Sequence, residues 1–365
     1  MAFRSRTVFA AAHVVADPAA DRSPGAPAVL DWDATLAFRH HVWSLGLGVA
    51  DAMDTAQRGM GLDWPATREL IRRSGAAAAS VGGALCCGVG TDQLPAAPDG
   101  PCSLAEIGDA YEAQLEVVEQ AGAQPVLMCS RALAAAARDP EDYAKVYARL
   151  LGQAGRPVIL HWLGDMFDPA LRGYWGGADL DEAAASVLGI IREHAAKIDG
   201  IKVSLLDADR EIALRRALPE GVRLYTGDDF NFPELIAGDE QGHSHALLGI
   251  FDPLAAQAAE ALDRLDAGDA AGFRAVLDPL VPLARHIFAA PTQHYKTGVV
   301  FVAFLAGHQA HFRMVGGQET GRDAAHLDAL YQLAAEGGIF ADPEAAAARF
   351  AAYTEEHRRR EHCRG

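Results

Sequence analysis

At 365 residues, with 50% hydrophobic content, 36 Gly and 18 Pro, the chain has the composition of a well-packed globular protein, which excludes disorder and a collagen-like rod. A formal net charge of -17, from 32 Lys+Arg against 49 Asp+Glu, opposes phosphate backbones over the whole surface, and the one basic run, 358–360, sits among Glu355, Glu356 and Glu361; no nucleic-acid partner is expected. No apolar stretch reaches the ~18 residues of a membrane span, and five Cys without CxxC spacing indicate neither a disulfide framework nor a thiolate zinc site, so a cytoplasmic protein is expected.

The first β-type run is 7–15, read as a strand rather than a secretion signal because its apolar stretch is short and ends in His13. An amphipathic helix at 35–45 follows, and further strands are expected at 48–55, 84–89, 123–129, 157–162, 198–203, 222–226 and 244–251. Between them the pattern turns helical at 64–79, 103–120, 140–153, 181–197, 207–217 and 230–237. Asp63 before Trp64-Pro65 is a start signal, and Ser103 with Glu106 three residues later forms a capping box. The loop 94–101, with three Pro, is a connection and not a domain linker.

Strands alternating with helices predict parallel pairing through crossover connections. Eight such units predict a (β/α)8 TIM barrel over 1–265, with an open doubly wound sheet as the competing arrangement. After Asp252 the β signal stops, and 255–265, 270–289, 295–313, 325–335 and 343–358 read as successive helices. Residues 266–365 are therefore expected to form a helical extension packed on the barrel.

Active sites of such barrels lie at the C-terminal ends of the strands. Those ends supply Asp51 and Thr55, Cys86, His161, Lys202, Asp228 with Asp229, and His243 with His245. Only four of the 32 basic residues are Lys, and one of them, Lys202, interrupts the apolar strand Ile198 to Leu206. An ammonium there is costly unless paired, and desolvation lowers its pKa, as a nucleophilic amine requires. It is either held by a buried carboxylate or free to condense with a carbonyl. Lys145 and Lys197 read as solvated, and Lys296 as a structural contact of the extension. The segment 292–296 with His308, His311 and Arg313 reads as a helix face packed at an interface, and Gly88-Val89-Gly90-Thr91 as a tight turn in preference to a phosphate loop.

Four segments in order resemble the dihydrodipicolinate synthase and N-acetylneuraminate lyase superfamily of imine-forming class I aldolases. Gly200-Ile201-Lys202 is similar to the strand-six segment that carries the imine-forming Lys, and Tyr225-Thr226-Gly227-Asp228-Asp229 to the strand-seven Gly-Asp-Asp stretch. Pro157 to Trp162 resembles the strand-five Pro-Val-x-x-Tyr-Asn segment with His161 in place of Tyr, and Gly242 with 244–249 resembles strand eight. Where the family has Gly-Thr-Thr-Gly-Glu, this chain has Asp54-Thr55-Ala56-Gln57-Arg58 and keeps only Thr55.

The resemblance implies a Schiff-base aldolase, lyase or dehydratase without a cofactor, with Lys202 as nucleophile and His161 moving protons. Thr55, Asp51, Asp228, Ser204 and His245 are the expected substrate contacts, with Asp228 and Asp229 also able to cap the following helix. Fewer donors for a carboxylate point to a small carbonyl substrate that is a keto acid or, in preference, a keto sugar derivative. The family's habit implies a homodimer or homotetramer. Two alternatives stand beside it: a metal-dependent barrel aldolase, isomerase or hydrolase using His161, His243 and His245, with Asp165 or Asp228, and a non-catalytic sugar-binding barrel in which Lys202 forms only an ion pair.

Overall fold

Short β runs flanked by amphipathic helices can bury both faces only if the strands share one sheet and the helices cover it. The computed structural model, which describes residues 3–94 and 102–362, has that arrangement: a closed parallel barrel in the order β1 to β8. The strands are β1 (Val8–Ala11), β2 (Gly48–Asp51), β3 (Leu85–Val89), β4 (Gln124–Leu127), β5 (Val158–Leu163), β6 (Ile198–Ser204), β7 (Arg223–Thr226) and β8 (His245–Leu248). Closure is made by β1 on β8, with Phe9 opposite Leu247. The expected loop 94–101 lies, from residue 95 on, outside the described residues.

Local signals account for the helix ends. Asp63 caps Trp64–Val81 by accepting from the Ala66 N–H, and Ser103 with Glu106 closes both bonds of the capping box on Leu104–Gln120. Two expected helices are shorter than their periodicity implied. Pro279 and Pro282 divide 270–289 into Ala270–Leu277 and Val281–Ile287, joined by a 3-10 turn. Gly307, at φ 85, ends Tyr295–Ala306 in a left-handed cap, so His308, His311 and Arg313 lie beyond the helix and form no helix face.

The barrel interior is filled by alternate strand residues, among them Phe9, Ala50, Cys86, Val126, Ile159, Tyr225 and Leu247. Nearer the C-terminal mouth the same alternation brings Ala11, Gly88, Gly227 and Gly249, and the three glycines let Met128, Ser204, Lys202, Phe288 and Tyr295 pack closely there. In the extension, Tyr295–Ala306 is apolar on nearly every side and is buried, as a helix without a polar face must be. Its Phe301 packs on Phe312 and Tyr353. Among the described residues no helix is long and apolar enough to cross a membrane.

Candidate active site

Register brings His161 of β5 directly opposite Lys202 of β6, both on the inward face. His161 is wholly buried and Lys202 is 7% exposed. The Lys202 Nζ has no hydrogen bond or ion pair among the described residues. Burial pushes its pKa below the ordinary 10.5, against the pull of Asp54, Asp229 and Cys86. His161 Nε2 lies 3.3 Å from Ser204 Oγ, and its Nδ1 is buried without a partner. Burial first, and the Lys202 ammonium second, hold its imidazole well below 6.5, so it is neutral at physiological pH. An unpaired amine beside an unpaired ring nitrogen is a costly arrangement for mere packing, and such groups cluster at functional sites.

Space around the amine is kept by glycine. A Cβ on Gly227 would stand 2.2 Å from Ser204 Oγ, 2.8 Å from Lys202 Cε and 2.8 Å from the Val203 carbonyl oxygen. Gly227→Ala should therefore displace Lys202 and Ser204, cost about 1–3 kcal/mol by overpacking, and slow any reaction at Lys202. Urea unfolding checks the first effect and carbonyl trapping the second.

The extension closes the mouth from the side. Tyr295 stacks on Phe288 with ring centroids 4.4 Å apart, and its hydroxyl lies 2.9 Å from Thr55 Oγ1. A Cβ on Gly249, just past β8, would meet Phe288, Tyr295 and Thr55 at 3.0–3.4 Å, which sets all three at the C-terminal end of the barrel. Burial keeps the Tyr295 phenol well above 10 and therefore protonated. Lys296 is 4% exposed, with Nζ 4.4 Å from the Tyr295 ring centroid and donating to the Gln293 carbonyl at 3.3 Å. Burial lowers it to about 8, with Asp54 opposing and Arg131 assisting.

Asp54, in the turn after β2, is the largest favourable charge on both lysines, and its Oδ2 is buried without a partner. It also lines a cleft of about 530 Å³ with Met128, Cys129, Arg131, Leu163 and Asp168. Arg58 of that cleft is engaged with Asp92 and Gln114, and Arg131 with Asp168 through its Nε at 2.5 Å. The glycine turn after β3 offers no free amide at Gly90, whose N–H is donated to Gln114 Oε1 at 2.6 Å.

Of the residues expected from sequence, Lys202, His161 and Ser204 come together and Thr55 stands at the mouth. Asp51 does not join them. It is the outward residue after Ala50, and it binds Arg39 through both oxygens at 2.8 and 3.1 Å, with Ser74 Oγ donating at 2.5 Å. His245 opens β8, at the end opposite the mouth, and accepts from the Thr7 N–H at 2.8 Å. His243 packs beside it, with ring centroids 5.3 Å apart, so the strand-eight pair does not converge with His161. Asp228 accepts from the Phe230 and Asn231 N–H groups and ties down the turn before helix Phe232–Ala237. Its neighbour Asp229 is the one that acts on Lys202: it accepts from the Ile250 N–H at 2.8 Å, and burial raises it to about 7.

A family model described as "Protein of unknown function (DUF993)" matches residues 1–357. The chain belongs to that family. No curated protein matches it. Among solved structures, dihydrodipicolinate synthase from Thermotoga maritima superposes with a TM-score of 0.68 at 14% identity, covering 92% of this chain and 99% of that one. The enzyme from Aquifex aeolicus gives 0.69 at 12% identity, covering 92% and 98%, and that from Bacteroides thetaiotaomicron 0.68 at 12%, covering 92% and 100%. This DUF993 chain thus has the barrel and helical tail of the dihydrodipicolinate synthase structures, as the strand-six and strand-seven segments implied.

Proposed function

We propose that this DUF993 protein is a Schiff-base-forming lyase, an aldolase or dehydratase that acts on a small carbonyl compound through Lys202. The observation that carries the reading is the Lys202 amine: buried, without an ion-pair partner, lowered in pKa, and opposite a buried histidine inside the barrel, where Gly227 leaves the room that the lysine and Ser204 occupy. A neutral amine attacks a carbonyl carbon, and loss of water gives a protonated imine that accepts the electron pair of an adjacent breaking bond. No metal is needed for that electron sink. The likeness to dihydrodipicolinate synthase structures supports the same class of chemistry.

For the substrate, the cleft favours hydroxyls over carboxylates. Its Arg58 is engaged by Asp92 and its Arg131, through Nε, by Asp168, whereas Asp54 Oδ2 is a buried acceptor without a donor. A keto sugar or its derivative fits this better than a 2-keto acid. Ser204 keeps His161 oriented, and the neutral imidazole relays the proton that passes from the Lys202 nitrogen to the carbonyl oxygen as the carbinolamine forms.

The test is borohydride reduction of the protein with pyruvate, other 2-keto acids and a panel of keto sugars, read by intact mass and peptide mapping. A reduced adduct on Lys202, strongest with keto sugars, is expected. Absence of an adduct with every carbonyl would overturn the reading, and strongest trapping with pyruvate would overturn the substrate class.

A further inference from the structure

The reaction at Lys202 needs an acid as well as a nucleophile. When the Lys202 amine adds to a carbonyl and a proton passes from nitrogen to oxygen, the product is a neutral carbinolamine. Its C–O bond breaks only when the hydroxyl takes up a further proton and leaves as water, with the nitrogen lone pair forming the C=N bond of the protonated imine. His161 is a poor source of that proton, because its buried ring is held neutral beside Lys202. Tyr295 holds its proton too tightly, and its hydroxyl is bonded to Thr55.

Lys296 is differently placed. It sits at the start of the buried helix Tyr295–Ala306, one residue after the tyrosine that reaches Thr55 at the mouth. Its ammonium makes one hydrogen bond, long at 3.3 Å, to the carbonyl of its own turn, and has no carboxylate within ion-pairing distance among the described residues. The charged and titratable groups around it are Asp54 after β2, Arg131 and Asp168 at the cleft, Lys202 on β6, and His294 and Tyr295 of its own segment. Lys202 and Lys296 both have Asp54 as their main counter-charge, and the Lys202 charge disfavours the charged form of Lys296.

We infer that Lys296 is the proton donor and acceptor for imine chemistry at Lys202, an inference that rests on the imine-forming reading above. The Lys296 ammonium gives its proton to the departing carbinolamine hydroxyl and becomes a neutral amine. In an aldol cleavage that amine then takes the proton of the substrate's β-hydroxyl as the carbon-carbon bond breaks and the electron pair moves into the imine, forming an enamine. The two steps return Lys296 to its starting state, and its value near 8 lets it act in both directions at neutral pH.

The experiment compares borohydride trapping rates for wild type, Lys296→Met, Lys296→Gln and Lys202→Met, with pyruvate and dihydroxyacetone as probes, across pH 6–10 (roughly the span in which a perturbed Lys titrates). Thermal melts of each variant accompany the rates. Wild type should show a rate maximum with a fall on the alkaline side. Both Lys296 variants should melt cooperatively, form adduct about 10²-fold more slowly, and lose the alkaline fall, while Lys202→Met forms none. Wild-type rates with the alkaline fall intact in either folded Lys296 variant would overturn the inference and pass the role to Asp229. Absence of adduct on wild type would overturn the imine reading itself, and this inference with it.

Discussion

Lys202→Met should abolish adduct formation with every carbonyl, lower catalytic turnover by at least about 10⁴-fold, and yet make the protein more stable. The two effects have one cause. The ammonium is buried without an ion-pair partner, so the fold carries its desolvation cost in exchange for reactivity. Met has similar length and no charge, and its sulfur and methyl would fill the space beside Gly227. The gain should be on the order of 1–3 kcal/mol.

Its pH dependence has a definite sign. Because the folded-state pKa of Lys202 lies below the unfolded value of 10.5, the unfolded chain binds more protons between the two values. Wild-type stability therefore rises with pH across that window through this group, and Lys202→Met lacks the rise. The advantage of the variant should be full below the folded pKa and vanish above about pH 10.5. Urea unfolding at several pH values checks this, and a Lys202→Met chain less stable than wild type at neutral pH would show that the ammonium is satisfied in the fold.

Why Lys202 was legible and other residues were not follows from period and distance along the chain. All eight strands were visible because each is a short apolar run bounded by turn residues, and Lys202 stood out as an ammonium within one of them. Which way a strand residue faces is harder. The β2 strand, Gly48–Asp51, is buried on both sides and has no polar alternation from which to read parity, so Asp51 gave no sign that it faces the helices. His245 was assigned to the functional end although it opens β8.

Asp229 and Asp228 are adjacent, and only the turn geometry decides that one caps and the other acts on Lys202. Tyr295 reaches Thr55 at the mouth from an extension nearly a hundred residues after β6, and brings Lys296 with it, a contact that no local period encodes. A usable signal did exist. Lys296 is the second of the four lysines to border a strongly apolar run, and the reasoning applied to Lys202 applies equally to it.

Removing the Asp51 carboxylate should unfold the barrel more readily without altering the chemistry of any chain that remains folded. Asp51→Ala should cost about 3–5 kcal/mol, because both members of the Arg39 pair are fully buried and the guanidinium would lose its bidentate partner in a site closed to water. Arg39 cannot relax by shedding a proton, and its other nitrogen is anchored to the carbonyls of His13 and Thr35, so it cannot swing to solvent. Ser74 Oγ and the Ala52 N–H also lose their acceptor. The double variant Arg39→Met with Asp51→Leu removes both charges and should recover most of the loss, since a well-packed apolar pair is often as stable as a buried ion pair. Denaturant midpoints for the two single variants and the double variant give the coupling. The same proteins separate structure from recognition: if Asp51 bound substrate, the folded double variant would trap keto sugars poorly, whereas an outward-facing Asp51 predicts trapping at the wild-type rate. The Arg39 pair also ties helix Trp32–Ser44 to the end of β2, three residues before the turn that presents Asp54 and Thr55, so the double variant shows whether that turn keeps its place without the ion pair.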